Sequence, residues 1–114
     1  MLWQTYTPAE LSRFDGSSEQ DKRILMGVQG RVFDVTASAG FYGPGGPYEN
    51  FAGRDASRGL ALQSFDADVL TPTDQPLDTL QDLTQAQKEN LQGWLEMYAN
   101  KYTECGEIRN PPLK

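Results

Sequence analysis

Hydrophobic and polar positions alternate with a different rhythm in each part of the chain. At Thr7-Pro8-Ala9-Glu10 a capping-box spacing, with proline at the first helical position, precedes Leu11 and Phe14. It predicts a short helix from Pro8 that stops at Asp15-Gly16. Arg23–Val28 and Arg31–Thr36 are β-rich runs separated by Gln29-Gly30, the spacing of a two-residue hairpin turn. From Ala37 to Gly53 Gly and Pro recur too often for a regular element, yet Phe41, Tyr42, Tyr48 and Phe51 are too aromatic for a solvated linker. An ordered loop that packs is expected there. Arg54–Ala61 reads as a short helix carrying Arg54 and Arg58 on one face.

The connection from Asp66 to Asp82, with Thr71-Pro72 and Gln75-Pro76, is expected to be irregular or 3₁₀-like. A second capping box, Thr84 with Gln87, opens a helix in which Leu91, Trp94, Leu95 and Tyr98 form one apolar stripe, extended a further turn by Tyr102. An extended tail is expected from Gly106, so the predicted organisation is one domain over 1–105 and a tail over 106–114.

Composition narrows the partners. A single domain of 114 residues with 38% hydrophobic content can build a core without metal or disulfide support. The net charge of -6 argues against nucleic acid, whose phosphates call for a dense Lys/Arg face. Cys105 is the only cysteine, which rules out an internal disulfide and a cysteine-only zinc site. No apolar run approaches the roughly 20 residues that span a bilayer, and the first ten residues lack a signal-peptide core, so a soluble domain is expected.

Histidine is absent altogether. Ser-His and Cys-His catalysis, histidine zinc sites and imidazole acid–base work are therefore excluded. Gly43, Gly45 and Gly46 match no phosphate-binding loop. Tyrosine leaves another route open, because a phenolate is hard and anionic, suits ferric iron, and is an established haem ligand. Tyr42 and Tyr48 bracket the run GPGGP, and Lys101 and Tyr102 are candidates to support such a ligand. By residue type alone, tyrosines on Gly/Pro loops are usually packing anchors, arginines such as Arg54 and Arg58 are usually surface charges, and a lone Cys105 is usually a bystander.

FYGPGGPYENFAGRDASRGLA (41–61) closely resembles the signature of the membrane-associated progesterone receptor family, and the segments at 27–36, 82–94 and 100–102 resemble it at comparable spacing. The acidic stretch before 84 leans toward the fungal branch, the haem-binding proteins of sterol synthesis. The resemblance implies an α+β, cytochrome b5-like fold with haem b in a cleft between helices. True cytochromes b5 hold iron through two histidines; in the resembling family one tyrosine phenolate does so, and that position is Tyr48. Tyr42, Lys101 and Tyr102 fall on supporting positions. Asp55 falls on a motif position expected to fix the loop and helix around the haem rather than touch iron.

The same resemblance implies a non-enzymatic protein of the endoplasmic reticulum membrane, facing the cytosol, that binds and supports cytochrome P-450 monooxygenases of sterol synthesis. In an animal relative the open haem face stacks on a second haem in a homodimer; Gly45 and Glu49 depart from some members of the family, which leaves that pairing open here. The alternatives are a steroid or lipid carrier or membrane-associated adaptor, with a sterol as ligand, and, lowest, a peroxidase-like enzyme.

Overall fold

The computed structural model describes residues 3–66, 69–73 and 75–110. Gln29 and Gly30 adopt φ of 50° and 80°, the paired left-handed geometry of a tight hairpin turn, and join β2 (Leu25–Val28) to β3 (Arg31–Asp34). β3 pairs antiparallel with β4 (Thr103–Ile108), and β4 pairs parallel with β1 (Gln4–Tyr6), giving a mixed sheet in the order β1-β4-β3-β2. Gly106 and Glu107 are thus paired on both sides within the sheet, and Ile108 pairs with Tyr6 of β1. The boundary expected at 105/106 falls inside a strand, and residues 111–114 of the expected tail lie outside the described residues.

All four residues of β2 are buried because both faces of the sheet are covered. Met26, Val28 and Phe33 face a large core with Phe51, Leu60, Leu91, Leu95 and Tyr98. Leu25, Val32, Cys105 and Ile108 face a smaller one with Tyr6 and Leu11. Burial pushes the Cys105 thiol up to about 11, so at neutral pH it is a protonated core residue and no thiolate ligand.

Both capping boxes form. Thr7 caps α1 (Pro8–Leu11) and Thr84 caps α4 (Gln85–Lys101), each with the reciprocal side-chain bond from the third helical residue. α1 is shorter than the sequence suggests, because the chain turns to place Phe14 and Asp15 against β2: the Leu25 N–H donates to Phe14 O at 2.9 Å and Asp15 bridges Ile24. On α4 Leu91, Leu95 and Tyr98 are buried as the stripe predicts, and Trp94 is half-buried.

The helix predicted over 54–61 is displaced to α3 (Ser57–Leu62). Arg54 and Asp55 instead lie along β2, where Gly27 N–H donates to Arg54 O and Ala56 N–H to Gly27 O. The two arginines therefore do not share a helical face. Both hold the connection that follows: Arg54 donates to Thr71 O at 2.6 Å, and Arg58 pairs with Asp78 and with Asp82 at 2.6 Å. Residues 67, 68 and 74 of that connection lie outside the described residues.

Arg58 holds the Asp78 carboxyl below its ordinary value of 3.8. The folded state then binds fewer protons than the unfolded one, so this stabilisation is complete above the ordinary carboxylate value and is lost as pH falls through the lower folded value. Arg58→Gln is expected to cost about 1–2 kcal/mol at neutral pH, the pair being partly solvated. It also flattens the acid limb of the stability curve, and urea melts between pH 2 and 7 check both effects.

Candidate aromatic site

After β3 the chain passes through a 3₁₀ turn (Thr36–Ser38), α2 (Ala39–Tyr42), the run 43–47, and a second 3₁₀ turn (Glu49–Phe51). The loop closes on itself. Gly43 N–H donates to Ala39 O, Gly46 N–H to Gly43 O, and Tyr48 N–H to Phe41 O, all at 2.8–2.9 Å. Gly46 permits this closure, since a Cβ there would stand 2.5 Å from Phe41 O. Tyr42 is thereby turned into the core while Tyr48, six residues on, is left at its edge.

The Tyr48 ring lies between two phenylalanines, 6.1 Å from Phe41 and 4.4 Å from Phe65, near-parallel to each. Phe41 and Phe65 are among the few large hydrophobics left exposed. Tyr42 tilts against Tyr48 at 5.9 Å, and its hydroxyl lies 2.6 Å from that of Tyr98. Tyr98 in turn stacks between Trp94 and Tyr102, at 6.1 and 5.5 Å. A continuous aromatic belt therefore runs from the Gly/Pro loop to the end of α4. Burial raises the pKa of both Tyr42 and Tyr98 above the ordinary phenol value.

Hydrogen bonding separates these phenols. Tyr42 and Tyr98 are bonded to each other, and Tyr102 is bonded to Ser38 Oγ at 2.8 Å. Tyr48, half-buried, has no partner for its oxygen among the described residues. Lys101 is exposed in the last turn of α4, with Nζ 5.3 Å from the centre of the Tyr102 ring. Its charge favourably opposes the helix dipole there.

Four of the five residues singled out from sequence, Tyr42, Tyr48, Lys101 and Tyr102, thus sit on or beside one belt. Asp55 does not. Its carboxylate accepts from Ser57 N–H at 3.1 Å and from Ser57 Oγ at 2.6 Å, while Ser57 Oγ accepts from Gln29 N–H at 2.7 Å. Asp55 ties the start of α3 to the β2–β3 turn, and burial raises its pKa. The residues that sequence reasoning passed over are Tyr98, read only as part of the core stripe, and Phe65.

The donor set suits a ferric porphyrin: a phenol oxygen unclaimed by the described residues, two apolar rings stacked against its ring, and no competing histidine or accessible thiolate. The model of the cytochrome b5-like haem/steroid binding domain matches residues 7–104. The chain belongs to that family. The cytochrome P450 regulator dap1 of Schizosaccharomyces pombe is 40% identical over 110 residues, covering 96% of this chain and 65% of that protein.

Human membrane-associated progesterone receptor component 2 is 45% identical over 111 residues, covering 97% of this chain and 48% of that protein. The chain therefore spans between about half and two thirds of these relatives. A solved Arabidopsis thaliana protein described as having a cytochrome b5 like fold superimposes with a TM-score of 0.80 at 34% identity, covering 95% of this chain and 93% of that one. The α+β, cytochrome b5-like fold and the likeness to progesterone-receptor proteins implied by residues 41–61 both hold.

Proposed function

We propose that this family member binds haem b as a ferric, five-coordinate complex with Tyr48 phenolate as the iron ligand. We further propose that it binds and supports cytochrome P-450 monooxygenases of sterol synthesis and catalyses no reaction itself. The observation that carries the ligand is the contrast among phenols: Tyr42, Tyr98 and Tyr102 are hydrogen-bonded to partners, whereas Tyr48 is half-buried between Phe41 and Phe65 with none among the described residues. When bound, haem supplies an iron whose ferric state a hard phenolate favours. The chain's own contribution is a fixed backbone at 43–48, apolar walls that limit water, and Tyr42 beside the ligand. Lys101 and Tyr102 close the far end of the belt, and Asp55 holds the α3 segment behind it.

The monooxygenase partner rests on likeness to a relative named as a cytochrome P450 regulator. A place at the endoplasmic reticulum membrane rests on relatives named as membrane-associated; no helix among the described residues is long and apolar enough to cross a membrane. Titrating ferric haem into the apo-protein tests the site: a high-spin spectrum that disappears in Tyr48→Phe supports it, and an identical spectrum in the variant refutes it. Microsomes holding a sterol-synthesis monooxygenase test the partner. The haem-loaded protein is expected to co-precipitate with the enzyme and raise its turnover, and absence of both excludes that role.

A second reading, a steroid carrier, is favoured by the family description, which couples haem with steroid. Equilibrium binding of a radiolabelled sterol to haem-free protein, displaced by haem, is its expected result; no saturable binding removes it.

A further inference from the structure

We infer that Tyr98 is a positioning residue for the iron ligand, acting through Tyr42: its hydroxyl bonds to that of Tyr42, and in the haem-bound protein Tyr42 donates in turn to the Tyr48 phenolate. The inference rests on the reading of Tyr48 as that ligand. Tyr98 is 1% exposed, and its ring is enclosed by Phe33, Trp94 and Tyr102. Among the described residues its hydroxyl meets one polar atom, the Tyr42 oxygen at 2.6 Å. A buried hydroxyl proton with no acceptor is costly, so the Tyr98 proton goes to Tyr42.

The direction of the first bond sets the second. A phenol oxygen that accepts keeps its own proton to donate. Tyr42 lies nearer the surface, and its ring leans on that of Tyr48 at 5.9 Å and 45°. With its lone pair occupied by Tyr98, Tyr42 keeps its own proton for a further acceptor, and the acceptor assigned here is the Tyr48 phenolate of the haem-bound protein. Successive bonds of this kind polarise one another, so donation from Tyr98 makes Tyr42 the stronger donor. A phenolate that receives such a bond gives less charge to iron. Tyr98 thereby tunes the metal from behind the first layer of side chains.

Spectroelectrochemistry of the haem-loaded protein tests this. Tyr98→Phe keeps the packed ring and is expected to lower the iron reduction potential and move the phenolate-to-iron charge-transfer band to longer wavelength. Tyr42→Phe shifts both in the same direction and further. Because Tyr98 acts only through Tyr42, the double variant is expected to match Tyr42→Phe alone. Fluorotyrosine introduced in place of Tyr98, a more acidic phenol of nearly the same size, should move the potential the other way, and this arm needs no loss of packing.

A potential and band unchanged in Tyr98→Phe, or a shift that persists undiminished when Tyr42 is already Phe, overturns the inference. If instead the charge-transfer band survives Tyr48→Phe in otherwise native protein, the ligand assignment itself has failed, and the relay falls with it.

Discussion

Tyr48→Phe is expected to abolish the tyrosinate-type ferric spectrum and to weaken haem retention by about a hundredfold or more. Loss of an outer-shell partner commonly costs about 10–100-fold in metal affinity, and loss of the ligand itself lies at or beyond the upper end of that range. The fold should not notice. Phenylalanine preserves the stack on Phe41 and Phe65, and no hydrogen bond to the described residues is lost with the hydroxyl. Apo-protein stability is therefore expected to stay within about 0.5 kcal/mol of wild type. The check pairs haem transfer to a scavenging apo-globin with a urea melt. A variant that keeps its haem for as long as wild type sinks the ligand assignment, and one that fails to fold shows that the hydroxyl has a structural role.

Three residues along, stability and haem retention are expected to fall together. Phe51→Ala should lower stability by about 3–5 kcal/mol, the usual cost of emptying a buried phenylalanine site. Phe51 is fully buried, sits in the 3₁₀ turn that follows Tyr48, and packs its ring 5.3 Å from Phe65. For a domain of this size that corresponds to a fall in melting temperature on the order of 15 °C. Haem retention falls as well, because the turn that holds Tyr48 loses its base. Phe41→Ala, at an exposed position, should leave the melt nearly unchanged while still loosening haem. Calorimetry on the two apo-proteins beside their haem release rates separates these outcomes; equal melting losses would show that the loop does not hang on Phe51.

Features set by neighbours in sequence were legible before the structure. Thr7 and Thr84 announce their helices through a partner three residues away, and Gln29-Gly30 announces its turn by conformation alone. The apolar stripe on α4 identified Leu91, Leu95 and Tyr98 as core, because 3.6-residue periodicity is a local property. Long-range pairing was not legible. β1 and β4 are parallel strands about a hundred positions apart, and β4 mixes Glu104 and Glu107 with Cys105 and Ile108. Nothing in either segment names the other.

The limits at the site have the same origin. The resemblance pointed to Tyr42, Tyr48, Lys101 and Tyr102, which the fold places on or beside one aromatic belt, but the stripe could say only that Tyr98 is buried, not which oxygen it meets. Arg58 finds its carboxylates 20 and 24 residues ahead, beyond the reach of any helical spacing. Phe65 stands at the start of a proline-bearing connection that carried no periodic signal, yet its ring covers Tyr48.

The central sheet separates the two cores. With Leu25, Val32, Cys105 and Ile108 on one side and the aromatic belt on the other, it works as a partition between two compartments of side chains. Changes in the smaller compartment can set how long the protein survives without altering the colour of whatever the larger one holds. Durability can therefore be changed from the smaller compartment while the ligand chemistry of the larger one stays as it is.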